Sequence, residues 1–362
     1  MRIDQFLPTF TADDAIGNHV LRSREVLQQA GFESRIWAEE IFGHLHHQAR
    51  SYLDYSSGAD VLLYHASTHS RMAEFLLTRP EPLLVYYHNI TPPEYFARWE
   101  PQAAMSMKAA RVELGELGGV TQLAMAPSHY SEQELINVGY RATALTPLLI
   151  DFADYQRRPN SRAMTRLRKQ RERGGAHWLF VGRLAPNKCQ HDIIGAFAVY
   201  RQLFDPKARL TLIGGVTSDL YYRALRRLVV ELEIEGNVEM LGSVPFDGLL
   251  AYYRACDVFV CLSEHEGFCV PIVEAMHFGL PVIGYSAAAV PEAIGDAGLL
   301  LRDKDPLMVA CAVDRVLADG AVRSRLVKAG QSRVEQLSLP RTSRALLSSL
   351  SPFLAHEQAQ RG

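Results

Sequence analysis

Glu266 and Glu274 stand in the stretch Glu264 to Ile283, EHEGFCVPIVEAMHFGLPVI, with seven residues between them. Such a pair arises by chance in most chains of this size, so its chemistry depends on its setting. The run before it, Cys256 to Leu262 (CDVFVCL), is apolar and reads as a buried strand. The chain then turns through Glu266-Gly267-Phe268 and enters a helical pattern at Pro271, a residue suited to the first helical position. Strand, short turn and helix set backbone N–H groups at a helix N-terminus beside the carboxyl end of a strand, where open α/β sheets bind phosphate. Glu266 falls on the turn and Glu274 in the first turns of the helix. N–H groups for a diphosphate, with a carboxylate on either side for hydroxyls, suit a sugar nucleotide. The plainer reading, acidic residues favoured by the helix dipole, does not require Gly267 or the Gly279-Leu280-Pro281 exit.

A second segment, Phe180 to Lys188 (FVGRLAPNK), places a glycine turn after a strand with two cations close by. Arg183 and Lys188 are suited to a diphosphate, on which charge develops as a glycosidic C–O bond breaks. The alternative is a solvated surface turn. Tyr86 to Pro93 (YYHNITPP) closes another strand with a His-Asn pair. His88 there is either a substrate contact or one more histidine bonded to nearby backbone. After the first strand, Asp13-Asp14-Ala15-Ile16-Gly17-Asn18 leads into a helix. Gly17 would let backbone approach a ligand, and Asp13 or Asp14 would serve as N-cap.

Taken together, these strings closely resemble the signature of the family 4 retaining glycosyltransferases, which have the GT-B fold: two Rossmann-like parallel-sheet α/β domains facing across a cleft. The resemblance implies that Glu266 contacts the donor sugar and Glu274 holds the nucleotide ribose. It implies that Gly267, Phe268, Cys269 and Val270 lend backbone N–H groups to phosphate and sugar. Arg183 and Lys188 match the family's GRL…K motif, which neutralises the leaving nucleotide, and His88 matches a histidine that reaches the donor sugar. Gly214, after a strand, fits the phosphate-side loop, and Val244, in Gly242-Ser243-Val244, fits the base-side loop. Gly17, Asn18 and His129 fall on the acceptor side, His129 next to Ser128, an expected N-cap. Two departures stand out: one glycine where the first loop usually has two, and Ala288-Ala289-Val290-Pro291-Glu292 where the family often has Gly-Gly-x-Pro-Glu.

The activity so implied is retaining, metal-independent transfer of a hexose from a nucleoside diphosphate sugar, GDP-mannose or a UDP-hexose, to a hydroxyl acceptor. The expected acceptor is a glycan or lipid-linked oligosaccharide of surface polysaccharide synthesis, with no tightly bound cofactor. The competing readings are a sugar-nucleotide epimerase or phosphorylase on the same scaffold, and a non-catalytic sugar- or nucleotide-binding subunit.

Strand-like and helix-like segments alternate to position these residues, which implies parallel sheets with right-handed crossovers. Arg2 to Leu7, Ser34 to Ala38, Val61 to Tyr64, Leu83 to Tyr87 and Leu123 to Ala126 read as strands, with helices at His19 to Ala30 and Ala103 to Leu117. The pattern restarts at Trp178 to Val181 and runs through strands at Arg209 to Ile213, Val238 to Leu241 and Val282-Ile283. The expected division is an acceptor domain over 1–155, a basic linker over 156–175 and a nucleotide-sugar domain over 176–339. A terminal helix at about 340–356 packs back on the first domain by resemblance. The linker carries eight basic residues and one acidic. It reads as a solvated segment, or alternatively as a patch for anionic lipid headgroups or an anionic acceptor.

The chain of 362 residues is 48% hydrophobic and 22% charged, with a net charge of -2, which gives no sign of bulk nucleic-acid affinity. No apolar run approaches the ~20 residues of a membrane span, and the N-terminus lacks signal-peptide form. The five cysteines show no metal-finger spacing and read as buried hydrophobes of a reducing compartment. A cytoplasmic protein is expected, with peripheral contact at the inner membrane face as the variant. Asp303-Lys304-Asp305 has the spacing of a metal-binding DxD, but Asp305 precedes Pro306 and reads as an N-cap. His44, His46 and His47 read as surface loop. The absence of GxGxxG after the first strand, of GxxxxGK[ST] and of GxSxG argues against dehydrogenase, P-loop and hydrolase chemistry.

Overall fold

A computed structural model of the chain describes residues 1–11, 14–43 and 45–361, with side chains through residue 353. It divides into two compact units.

The first unit comprises 1–93, 102–151 and 337–362. Its strands are β1 (Ile3–Phe10), β2 (Ile36–Ile41), β3 (Arg50–Ser51), β4 (Val61–Ala66), β5 (Leu83–Tyr87), β6 (Thr121–Ala126) and β7 (Thr143–Leu145). All pairings are parallel, in the order β3-β2-β1-β4-β5-β6-β7. Its helices are α1 (Ala15–Gln29), α2 (Met72–Leu77), α3 (Pro101–Gly118), α4 (His129–Asn137) and the terminal α13 (Leu339–Arg361). A parallel sheet is covered on both faces, so its strands read as apolar runs; all six residues of β4 are buried. Alternation then sorts them. Phe6, Leu62, Tyr64, Val85 and Tyr87 pack in one core with residues of α2 and α3, while Leu7 and Phe10 meet Val20 of α1 in another. Leu346 and Leu350 of α13 are fully buried, and Ser349 Oγ lies 3.1 Å from Thr146 Oγ1.

β1 runs three residues beyond its expected end at Leu7, through Pro8. It pairs with β2 as far as Phe10, but with β4 only to Phe6. Gln5 N donates to Arg35 of the β2 side, so the backbone nitrogen of Pro8, an odd number of residues on, faces the β4 side after pairing there has ended. Its missing N–H therefore costs no ladder bond. α1 likewise starts earlier than expected, because Asp14 caps it.

The second unit comprises 94–101 and 152–336. Its strands are β8 (His177–Val181), β9 (Arg209–Ile213), β10 (Val238–Met240), β11 (Val258–Cys261), β12 (Val282–Tyr285) and β13 (Gly298–Leu301), parallel, in the order β10-β9-β8-β11-β12-β13. Its helices are α5 (Ser161–Glu172), α6 (Gln190–Leu203), α7 (Asp219–Glu231), α8 (Phe246–Ala255), α9 (Val270–His277), α10 (Val290–Ile294), α11 (Pro306–Ala318) and α12 (Gly320–Gln336). Trp178, Phe180, Val258 and Val260 face α6, α7 and α11, whereas Leu179, Phe259 and Cys261 face α8, α9 and α10. The basic stretch forms α5, capped by Asn160, and it buries Leu167 in the second of these cores. Its aliphatic stripe, Ala163-Met164-Leu167, is diluted by arginines in the sequence and shows only in the packing. α12 has no counterpart among the sequence-derived helices, because only Leu326 and Gly330 of its seventeen residues are buried. No helix among the described residues is long and apolar enough to cross a membrane.

Candidate functional site

In the second unit the strand order reverses direction between β8 and β11. Ligands of open α/β sheets bind beyond the carboxyl ends of the strands at such a switch point. The segments leaving these two strands are Gly182 to Cys189 and Leu262 to Cys269, the two that the sequence singles out. They are stitched together: buried Asn187 donates from Nδ2 to the His265 carbonyl at 3.0 Å and accepts from the Glu264 N–H at 2.9 Å. One residue on, the Lys188 ammonium forms an ion pair with the Glu266 carboxylate, the two side chains being only 14% and 8% exposed. Arg183 is exposed, and its guanidinium has no partner among the described residues.

α9 starts at Val270 after Cys269, whose φ of 74° is left-handed, and no side chain caps it. Pro271 has no N–H and the Ile272 N–H donates to the Cys269 carbonyl at 3.1 Å, so the Val270 N–H and the positive end of the helix dipole are what the helix start offers a ligand or water. Phe268 and Cys269 are buried, and Gly267 and Val270 partly so. Glu274, one turn in, is buried; Oε1 accepts from the Tyr155 hydroxyl at 2.5 Å and Oε2 from the Tyr253 hydroxyl at 2.6 Å. Burial lifts its pKa above the usual carboxylate range, against the opposing pull of the two hydroxyl bonds. Neither tyrosine was legible as part of the site. Tyr253 lies on α8 in an apolar run, and Tyr155 is next to the basic stretch.

Gly214 follows β9 with φ 150°, and a Cβ there would lie 2.0 Å from the Gly182 carbonyl oxygen. Gly214→Ala must therefore push the Gly182-Arg183 backbone aside. A stability loss of about 2–3 kcal/mol is expected, read as a lower Tm, and an unchanged Tm would show that the turn is not so constrained. Val244 is half-buried and packs with the α8–α9 core. Where the sequence departs from Gly-Gly, Ala288 takes a left-handed φ of 47°, and the buried Ala289 donates its N–H to the Glu266 carbonyl at 3.3 Å. Asp305 caps α11, its Oδ1 accepting from Leu307 and Met308 N–H groups, while Asp303 accepts from the Asp305 N–H at 2.8 Å. Both aspartates are thereby engaged with backbone. Lys304 joins Asp192 at 2.6 Å and Glu264 at 2.5 Å, a link that the sequence did not suggest.

In the first unit His88 follows β5 and is half-buried, its backbone N–H bonded to Ala66 and the left-handed Asn89 turning the chain after it. Its Nε2 lies 3.0 Å from His65 Nδ1. The N–H of Gly17 donates to Asp14 Oδ1 at 2.6 Å, and a Cβ there would lie 1.7 Å from the Thr11 carbonyl oxygen. The close approach that calls for glycine is thus made to the chain itself. Asn18 is exposed, and exposed His129 lies 3.2 Å from Glu132, one residue after Ser128, which caps α4 as expected. Asp13 and His44 lie outside the described residues.

Two parallel-sheet α/β units of this strand order make the chain a GT-B protein. Residues 165–333, nearly half of the chain, match the model of the family described as glycosyl transferases group 1. It is 28% identical to the O-antigen chain mannosyltransferase B of Escherichia coli over 270 residues, 73% of this chain and 68% of that one. It is 31% identical to the D-inositol 3-phosphate glycosyltransferase of Frankia alni over 199 residues, and so spans about half (49%) of that relative's length and 53% of its own. Anabaena Alr3699/HepE, crystallised in complex with UDP-glucose, superposes with a TM-score of 0.77 at 19% identity, covering 97% of this chain and 100% of that one.

Proposed function

We propose that the protein is a retaining, metal-independent glycosyltransferase that moves a hexose from GDP-mannose or a UDP-hexose to a hydroxyl of a glycan or lipid-linked oligosaccharide. The observation that carries this reading is the meeting of Lys188, Glu266 and the uncapped start of α9 at the switch point of the second sheet. The diphosphate lies on Arg183, Lys188 and the N–H groups from Gly267 to Val270. Glu274 takes the ribose hydroxyls: a carboxylate offers about four acceptor positions, and the two tyrosines use two of them. Glu266 is assigned to hydroxyls of the sugar, and of the first unit's residues His88 is assigned to a substrate hydroxyl and Gly17, Asn18 and His129 to the acceptor.

In the transfer step the bond from the anomeric carbon to the phosphate oxygen breaks, and its electron pair stays on the diphosphate. The acceptor oxygen bonds to the same face of that carbon and gives its proton to the departing phosphate oxygen. Two cations and a helix N-terminus stabilise the charge developing there, which is the ground for metal independence. The mannosyltransferase relative and the neighbour crystallised with UDP-glucose support the choice of donors.

Thermal shift against UDP, GDP, ADP and their hexose conjugates, with and without magnesium, tests the reading. A ligand of the folded state alone adds about 2.7 kcal/mol at one hundred times its Kd. A shift with one nucleotide, insensitive to magnesium and followed by transfer with retained anomeric configuration, is expected. No shift with any of them would overturn it.

A further inference from the structure

We propose that His65 and Gln5 are positioning residues that hold His88 in the tautomer with its proton on Nε2, so that His88 offers Nδ1 only as an acceptor, to a substrate hydroxyl. The proposal deepens, and rests on, the reading of His88 as a substrate contact. Its starting point is a row of polar side chains in a largely apolar sheet: Gln5 on β1, His65 on β4 and His88 just beyond β5. Gln5 and His65 are fully buried, and His19 of α1 packs against the two histidines with ring centroids 5.7 and 5.3 Å away.

Burial and the proximity of the other imidazoles hold His65 and His88 neutral, each well below the ordinary histidine value, and burial alone takes His19 down to about 3. A neutral imidazole has one N–H and one lone pair, so each bond dictates the next. Gln5 Nε2 donates to Ser34 Oγ at 3.1 Å, which turns its Oε1 toward His65 Nε2 at 3.0 Å. The His65 proton is therefore on Nε2, and its Nδ1 is a lone pair. That lone pair faces His88 Nε2 at 3.0 Å and is satisfied only by an N–H there. His88 Nδ1 is left without a proton.

His19 is occupied independently. Its Nδ1 accepts the Leu149 backbone N–H at 3.1 Å and its Nε2 lies 3.3 Å from Ser23 Oγ. Of the six ring nitrogens, His88 Nδ1 is the one with no partner among the described residues, and it belongs to the one ring of the three that is not fully buried. An acceptor-only nitrogen selects a hydroxyl, and it rejects phosphate and carboxylate oxygens, which are acceptors themselves.

Ring ¹H–¹⁵N correlation spectra of the full chain, labelled on histidine and assigned by the signals lost in His88→Ala, test the relay directly. The expected result at neutral pH is a protonated Nε2 and an unprotonated Nδ1 on His88. His65→Leu, which removes the acceptor, is expected to mix the tautomers and lower turnover about tenfold. His65→Asn, whose Oδ1 accepts in place of Nδ1, is expected to keep the tautomer and most of the turnover. A proton on His88 Nδ1 would mean that the chain of bonds runs in reverse from a turned Gln5 amide, and it overturns the proposal. So does a His65→Leu protein with the wild-type tautomer and turnover. Should that variant not fold, Gln5→Leu and the wild-type spectrum decide the matter. Unchanged turnover in His88→Ala would instead remove the substrate-contact reading while the tautomer result stood.

Discussion

Lys188→Ala is expected to lower turnover by about 10²–10³ under the diphosphate role proposed for it, the scale of removing one preorganised group from a site where charge develops. The same change will cost stability for a separate reason. Lys188 and Glu266 are a nearly buried ion pair, and removing one partner strands the other charge, at a cost of about 3 kcal/mol for buried pairs. Loss of activity in the single variant therefore does not by itself identify a role in transfer. The double variant Lys188→Ala/Glu266→Gln separates the two effects, because it leaves no unpaired carboxylate. Its Tm is expected to return toward the wild-type value while its turnover stays at or below that of Lys188→Ala. Recovery of turnover together with Tm would show that Lys188 acts only by holding the β8 and β11 loops together.

The segments most legible in the sequence are those in which backbone conformation dictates residue type. Gly182 and Gly214 after apolar strands, Pro271 in the first turn of α9 and the Asp305-Pro306 cap are local signals, each tied to a backbone torsion or N–H group. The β8 and β11 strands were legible for a related reason: strands buried on both faces have no polar alternation to obscure them. What was hidden depends on contacts across long sequence separations. Tyr155 and Glu274 are 119 residues apart, and Gln5 and His65 are 60 apart. Nothing near either end announces the other. His65 did leave a trace, as a polar residue in the buried run VLLYHA. Cys269 and Ala288 adopt left-handed torsions that ordinarily favour glycine, so residue type alone understated how tightly their turns are wound.

Glu274→Gln is expected to make the protein more stable at pH 8 and less active. In the folded state burial raises the pKa of Glu274 above its ordinary value, so the native protein holds this proton more strongly than the unfolded chain. As pH rises through the ordinary carboxylate range toward the raised folded value, the unfolded state releases its proton first, and native stability falls. Above that window the full penalty is present; below it none is. Glutamine carries no such penalty and still offers one oxygen and one N–H group to the two tyrosine hydroxyls. The stability difference between variant and wild type should therefore be largest at alkaline pH and shrink as pH falls to about 4. Under the ribose-holding role proposed for Glu274, turnover should fall by about 10–100-fold, because a hydrogen bond to a charged acceptor is worth about 1.5–3 kcal/mol. Urea unfolding at both ends of this pH range, alongside turnover at pH 8, checks both halves. A variant less stable than wild type at pH 8, with the deficit closing in acid, would mean that the two tyrosine bonds outweigh burial. The carboxylate would then stabilise the fold rather than burden it.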